Sequence, residues 1–210
     1  MAYGKKEAIK IVSDAAGVYF SELCNRNFLV IYRDRKTTHI KWFECLFLPR
    51  NFQHLTGLEY IDQSGKLQHK SVEFFNKSRV HMLKEEEVQF KNDGTSQLKL
   101  KALPKIINFC KSSKMTTTVD TYRPLLNVDR LTGNVHCCLG FVKENDYYYP
   151  ASCLLGDIRD FGDNPSQILA VLCKPVNEKN YTYSALKYQA KGVDLRQVGL
   201  PARLTEMITD

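Results

Sequence analysis

The sequence predicts an α+β fold with an N-terminal helix, a helical insertion and a mainly antiparallel β-sheet. Apolar residues recur with the period of one buried helix face near the N-terminus and again in the middle of the chain. Runs of β-forming residues dominate the remainder, and several of them are separated only by short turns. Because a short turn joins antiparallel strands but cannot join parallel ones, the connections favour hairpins.

The first predicted elements are a helix and a hairpin. Helical periodicity predicts a helix over residues 5–26. A continuous apolar run predicts a buried strand over 28–33, and alternation predicts a second strand over 38–47. The charged turn at 33–36 joins them as an antiparallel hairpin, and polar composition predicts a surface loop over 59–70.

The middle of the chain is the predicted helical insertion. Ser71 is a suitable N-cap for a helix that ends near His81. The charge run Lys84–Glu87 is typical of a solvated helix face. Helical spacing returns over 98–114, where Pro104 predicts either a break or the start of a new helix.

The last part of the chain is predicted to be mostly β-structure. Residues 116–119 are β-prone, and Asp129–Gly133 is interpreted as a turn. Strands over 135–142 and 147–155 form a predicted hairpin. The final expectations are a hairpin of residues 168–174 and 181–187 across 175–180, and a mixed tail over 192–210 that ends in a short helix.

Composition and charge narrow the class of protein. Apolar residues make up 43% of the 210 residues, which excludes a disordered chain. The net charge of +7 and the pI near 9.0 favour a polyanionic partner, nucleic acid before an anionic membrane. No signal peptide and no membrane-length apolar run is recognisable, so the expectation is a cytoplasmic protein with no membrane partner.

The cysteine pattern gives no reason to expect a metal. The seven cysteines are an odd number and contain no CxxC pair, so reduced thiols are expected. His136, Cys137 and Cys138 are adjacent, and adjacent ligands do not match the usual spacing of a zinc site. No metal and no cofactor are therefore expected.

The stretch Arg50–Leu58 concentrates the residues best suited to chemistry. No phosphate loop, GxSxG elbow or HExxH motif is present, and the acidic residues are scattered. A metal-independent ribonuclease needs a base for the ribose 2′-OH, an acid for the leaving 5′-oxygen and cationic groups around the phosphate. The candidates for these tasks are His39, Arg50, His54, Thr56, Lys66, Tyr149, Ser152 and Arg159.

Each candidate also has a structural interpretation. His54 is equally suited to capping a turn, and Arg50 and Arg159 to surface or salt-bridge positions. Tyr147–Tyr149 fits a strand with one core face and one exposed face; stacking on RNA bases is the functional alternative.

Three short motifs carry a family resemblance. They are Asn51–Gly57 (NFQHLTG), Leu139–Phe141 (LGF) and Tyr149–Ser152 (YPAS), the last followed by Gly156–Arg159 (GDIR). Together they are similar to a phage- and mobile-element-associated branch of the barnase–EndoU–colicin–RelE-like nuclease superfamily. The resemblance covers about residues 25–162, which we take as the nuclease-like core of a single domain over 1–210. Residues 163–210 would form a C-terminal hairpin and tail extension.

The resemblance implies an N-terminal helical region followed by an antiparallel sheet that carries the site. It also implies a toxin-like or effector ribonuclease. By analogy His54 would be the leading acid or base, and Thr56, Tyr149 or Ser152 would orient it or the substrate. Arg50 or Arg159 would hold phosphate, and the basic residue Lys66 is added to that set.

Two main functional hypotheses follow from the sequence, and a third, weaker one is an enzyme that acts on a nucleotide and not on polymeric RNA. The first is a metal-independent endoribonuclease that acts on RNA in the cytoplasm of a phage host. The second is a catalytically silent scaffold that binds nucleic acid or a host or immunity protein, for example as a phage anti-defence factor. Ala151 supports the second, because it stands where a polar residue such as Asn would be expected.

Overall fold

Helices and strands cover most of residues 2–119, 127–178 and 181–208, the part of the chain that this computed structural model describes. The strands are β1 Arg26–Arg33, β2 Ile40–Phe47, β3 Leu58–Tyr60, β4 Val88–Phe90, β5 Met115–Thr118, β6 Arg130–Gly133, β7 Cys137–Glu144, β8 Tyr147–Leu155, β9 Ser166–Pro175 and β10 Ala185–Gln189. The helices are α1 Lys5–Val18, α2 Phe52–Thr56, α3 Ser71–Arg79, α4 Thr95–Ile106, α5 Phe109–Ser112, α6 Ile158–Phe161 and α7 Ala202–Glu206. A π-helical turn, Tyr19–Leu23, extends α1, and 3-10 turns occupy Pro49–Asn51 and Glu85–Glu87. Within these residues no helix has the length and apolarity to cross a bilayer.

The large sheet closes into a ring. Its strand order is β1-β2-β8-β7-β6-β5-β9-β10, and β1 pairs with β9 as well as with β2. All of its ladders are antiparallel except the β2–β8 contact, where Cys45 lies opposite Tyr148 in parallel orientation. The second edge of β9 is shared between β5 and β10. The architecture is therefore α+β with a barrel-like, mainly antiparallel sheet, which confirms the predicted class.

β1 is buried on both faces, which explains its unbroken apolar sequence. Phe28 and Val30 belong to the main core, beneath the helices. Leu29 and Ile31 point to the opposite face, because side chains alternate along a strand. There the C-terminal part of the chain covers them, with Leu204 of α7 fully buried.

Aromatic rings fix the helices to the sheet. Tyr19, from the π-helical turn, has its ring centroid 6.0 Å from Phe47 on β2, 5.2 Å from Phe52 on α2 and 5.5 Å from Phe75 on α3. All four rings are fully buried. Edge-to-face contacts of this kind contribute beyond the burial of apolar area, so the position of α2 is well determined.

Several predicted elements are confirmed. The N-terminal helix, the β1–β2 hairpin, the β7–β8 hairpin and the short helix in the tail are all present. The β9–β10 pair is also present, although residues 179–180 of its connection lie outside the described residues. The N-terminal helix ends earlier than predicted, at Leu23, and Asn25 follows with a φ of 56°.

Three predictions of local structure are wrong. Asp129–Gly133 is not a turn, because residues 130–133 form β6, which is paired on both edges. The surface loop predicted over 59–70 begins with β3, which pairs with β4. Pro104 does not break its helix, since α4 continues through it to Ile106; a proline removes only one backbone donor, and packing compensates.

β9 lies in the segment that the sequence suggested as a C-terminal extension. It pairs with β1 along most of its length, and with β5 at Ser166 and Gln167. All seven residues between Gln167 and Pro175 are buried. This strand is thus an interior part of the ring.

Candidate functional site

The segment Phe52–Thr56, predicted to carry the chemistry, is the short helix α2. Phe52 and Leu55 are buried in the main core, and this orientation directs His54 outward. Gly57 ends the helix in the left-handed conformation, with φ of 71°. A Cβ at this position would lie 2.9 Å from Cα of Ser96, so the tight approach of α4 also requires glycine.

Two buried hydroxyl groups fix the turn after α2. Oγ1 of Thr56 donates to the carbonyl oxygen of Gln53 at 2.8 Å and accepts from the amide of Leu58 at 3.0 Å. Oγ of Ser96 donates to the carbonyl oxygen of Gly57 at 2.6 Å and accepts from the amide of Lys91 at 2.8 Å. The start of α4 and the residue Lys91 are thereby held against α2.

Two lysines lie close to His54. Nζ of Lys99 donates to the carbonyl oxygen of His54 at 2.9 Å, which satisfies a carbonyl near the end of α2. Partial burial, then the positive charge of Lys91, then that of Lys99 lower the pKa of His54 below its usual value of 6.5. Burial also lowers the pKa of Lys99. The imidazole of His54 is therefore mostly neutral at pH 7 and able to accept a proton.

His54 opens onto a cavity of about 280 Å³ between α2, β3 and the start of α3. His69, Ser71 and Lys91 line the same cavity. Glu59 lines it too, and its carboxylate accepts a hydrogen bond from Nε2 of Gln89 at 2.7 Å. The cavity thus combines two imidazoles and an ammonium group, the group types that acid–base chemistry on a phosphodiester requires.

Arg50 and Tyr149, both predicted site residues, meet in the structure. Cζ of Arg50 lies 5.6 Å from the ring centroid of Tyr149, and Arg50 also forms an exposed ion pair of 3.9 Å with Glu144. Arg50 lies in the 3-10 turn that leads into α2, and α2 packs against β8, the strand of Tyr149. β8, the strand that carries the predicted site residues Tyr149 and Ser152, therefore contacts the helix that carries His54.

Ser152 and Thr56 point away from the cavity of His54. Cys153 is buried in the main core beneath the helices, where burial raises its pKa to about 12, so its neighbour Ser152 faces the opposite side of β8. The hydroxyl of Thr56 is fully buried and is occupied by the two backbone bonds that cap α2.

The remaining predicted residues lie on other parts of the molecule. Arg159 is on α6, which packs on β5 and β6, and its guanidinium pairs with Asp157 at 2.5 Å. Lys66 is exposed in a turn organised by Asp62, two residues before Gln68 on the wall of the His54 cavity. His39 lies at the β1–β2 connection, beside the C-terminal segment.

Sequence reasoning missed His69, Lys91 and Lys99 as site residues. His69 falls in a polar loop with no motif around it, and both lysines are scattered among many others. One local sequence feature does indicate where Lys99 lies. Thr95–Ser96 follows the Gly94 turn and begins α4, the helix that brings Lys99 to α2. Across the described ranges, no group of three or more His, Cys, Asp or Glu side chains is arranged to hold a metal ion.

Comparison with known proteins identifies the family of the chain. A family model described as phage-Barnase-EndoU-ColicinE5/D-RelE like nuclease4 matches residues 11–190. No curated protein and no solved structure matches the chain. The match includes α2, the cavity of His54, the whole ring of strands and β10. The chain therefore belongs to the phage-Barnase-EndoU-ColicinE5/D-RelE like nuclease4 family.

Proposed function

We propose that this protein is an endoribonuclease that cleaves RNA without a metal ion, with its acid–base groups in the cavity beside α2. The observation that carries the proposal is that His54 and His69 line one cavity together with Lys91. Membership of a nuclease family supports the class of reaction. The basic net charge of +7 supports a polyanionic substrate.

The proposed reaction is attack of the ribose 2′-oxygen on the adjacent phosphorus. Neutral His54 accepts the 2′-OH proton, and the P–O5′ bond breaks as the P–O2′ bond forms. Protonated His69 donates a proton to the leaving 5′-oxygen, so the products are a 2′,3′-cyclic phosphate and a 5′-hydroxyl. Lys91 stabilises the negative charge that builds up on the phosphoryl oxygens.

Four of the residues predicted from the sequence keep proposed roles in this reaction: Arg50, Tyr149, Lys66 and Thr56. Arg50 and Tyr149 do not line the cavity of His54, and together they offer a cation and an aromatic face for a part of the RNA strand farther from the cleaved bond. Lys66 would contact a neighbouring phosphate. Thr56 supports His54 from within the fold, while Ser152 and Arg159 lie elsewhere and need their own variants to be assigned a role.

The test uses a 5′-labelled single-stranded RNA incubated with the protein in excess EDTA. We expect cleavage, a 2′,3′-cyclic phosphate at the new end, and complete resistance when a single 2′-deoxy nucleotide replaces the cleaved position. His69→Ala and Lys91→Met should each slow cleavage by about a hundredfold or more.

His136→Ala and Lys101→Met are the matched controls, because both side chains are exposed outside the cavity. They should cleave at the wild-type rate. Cleavage of the 2′-deoxy substrate, or no cleavage of several RNAs including tRNA by the wild type, would overturn the proposal.

The alternative function is a silent scaffold that binds nucleic acid or a host protein. The observation in its favour is Ala151, which occupies the bulge of β8 between Pro150 and Ser152, where the β7–β8 register shifts. In that case His54→Ala would leave both partner binding and any growth phenotype of the expressing cell unchanged.

A further inference from the structure

A second basic pocket lies on another part of the ring, at the end where the β1–β2 hairpin meets the starts of β6 and β9. It has a volume of about 240 Å³ and shares no lining residue with the cavity of His54. Its lining includes Arg130, Lys41, Lys36 and Arg35. Arg130, the first residue of β6, is only 7% exposed and forms the inner end of this pocket.

Aromatic rings surround the guanidinium group of Arg130. Its Cζ lies 4.5 Å from the ring centroid of Phe43, 5.1 Å from that of Tyr148 and 5.4 Å from that of Tyr32. Such rings stabilise a cation and hold the planar group in one orientation. They accept none of its conventional hydrogen bonds, however.

Among the described residues, the guanidinium group of Arg130 has few hydrogen-bond partners. Nη1 donates to Oγ1 of Thr116 at 3.4 Å, and buried Nε has no partner among the described residues. Two carboxylates line the pocket, but Asp34 is held by Nζ of Lys41 at 2.7 Å, and Asp163 is exposed and forms no ion pair with a described residue. A buried arginine cannot lose its proton, so an unpaired one is costly unless an anion completes its bonds.

The geometry points to a binding site for a terminal phosphate monoester, as carried by a mononucleotide or by the end of an RNA chain. The pocket holds one positive group at its inner end, Arg130, and a second nearer to solvent, Lys41, whose side chain is 47% exposed and whose ammonium also contacts Asp34. An arginine held in one plane suits bidentate contact with phosphate oxygens. Because Arg130 is so deeply placed, a phosphate with a free end reaches it, whereas an internal phosphodiester would have to bring both flanking nucleotides inside.

Phosphate binding at Arg130 is a property beyond the proposed cleavage reaction and does not depend on it. The binding site is separate from His54, so ligand binding is measured in the His54→Ala protein as well as in the wild type. Failure of RNA cleavage would leave the binding result intact, and failure of binding would leave the cleavage result intact.

The experiment measures binding of inorganic phosphate, 5′-AMP, 3′-AMP and adenosine by calorimetry and by the shift in thermal unfolding. We expect the phosphates to bind and to raise the unfolding temperature of wild type and His54→Ala alike, and adenosine to do neither. DNA oligonucleotides with and without a terminal phosphate show whether the bound phosphate monoester is that of a nucleic-acid end or that of a free nucleotide. Binding of the phosphorylated oligonucleotide indicates nucleic-acid ends, and its absence indicates free nucleotides.

Arg130→Met should weaken phosphate binding by about thirtyfold or more and remove the thermal shift. Lys41→Met should weaken binding more modestly, and it tests the same pocket if Arg130→Met fails to fold. Lys101→Met changes net charge equally and should bind as the wild type does. Unchanged binding by both pocket variants, or no wild-type binding at about 10 mM ligand, overturns the inference.

Discussion

At the scale of single residues, the local environment of His54 explains why its imidazole favours the neutral form. Partial burial and the charges of Lys91 and Lys99 all favour the neutral ring. The folded state therefore resists protonation of His54. The contribution of His54 to the free energy of unfolding is fully present above its usual pKa of 6.5. It is lost as the pH falls from 6.5 through the lower pKa of His54 in the folded protein.

The first prediction concerns the titration of His54. Lys91→Met removes the larger of the two charge effects, so the pKa of His54 should rise toward its usual value. NMR titration of the imidazole protons measures this directly, and the acid limb of the pH–rate profile should move to higher pH by the same amount. Lys101→Met is the control and should move neither. A His54 pKa that is unchanged in Lys91→Met would contradict the described environment.

At the scale of elements, α2 shows what could be predicted from the sequence. The motif Asn51–Gly57 was recognisable, and its apolar positions Phe52 and Leu55 do enter the core. The partners of His54 were not predictable, because His69, Lys91 and Lys99 reach it only through the folding of the helical insertion.

β6 shows why a local signal can mislead. Gly133 suggested a turn, but a Cβ there would lie 2.4 Å from the carbonyl oxygen of Cys137 and 2.8 Å from Cα of Cys138. Glycine is required by the close approach of β7, and pairing on both edges keeps the segment extended. Sequence spacing alone carries no information about such a contact.

The second prediction tests the turn after α2. Gly57→Ala combines left-handed strain with a clash against Ser96, so it should reduce the free energy of unfolding by about 2–3 kcal/mol, measured by urea denaturation. Gly199→Ala is the matched control, since its φ of 70° is equivalent but no heavy atom lies within 4 Å. It should lose only about 1 kcal/mol. Equal losses would show that the contact with α4 is unimportant.

The third prediction concerns the capping hydroxyl of Thr56. Thr56→Val keeps the shape but removes two buried hydrogen bonds, so it should cost about 1–3 kcal/mol of unfolding free energy. Thr56→Ser retains the hydroxyl and should recover much of that loss. If Thr56→Ser were stable but inactive in RNA cleavage, a purely supporting role for Thr56 would be wrong.

At the scale of the whole molecule, the C-terminal part completes the domain. β9 closes the ring against β1, and Tyr183 and Leu204 cover the outer face of β1 and β9. The C-terminal residues contain no recognisable motif. Their role in closing the ring depends on strand pairing between distant parts of the chain. The sheet class was predictable from hairpins, whereas the closure was not.

The fourth prediction measures this closure. Leu204 is fully buried, so Leu204→Ala should destabilise the entire domain by about 2–5 kcal/mol in a single cooperative transition. Leu186→Ala, on β10, is the control because that side chain is 49% exposed, and it should change stability by less than about 0.5 kcal/mol. Separate unfolding of the C-terminal part would show that it is an independent appendage.

The catalytic role proposed for His54 is tested by the single-turnover rate of RNA cleavage in EDTA by wild type and by His54→Ala. The side chain of His54 is partly exposed, so the variant should fold with wild-type stability. We predict a loss of about a hundredfold to ten-thousandfold in rate, with His136→Ala unaffected. A His54→Ala protein that is correctly folded and cleaves RNA at the wild-type rate would contradict the central claim.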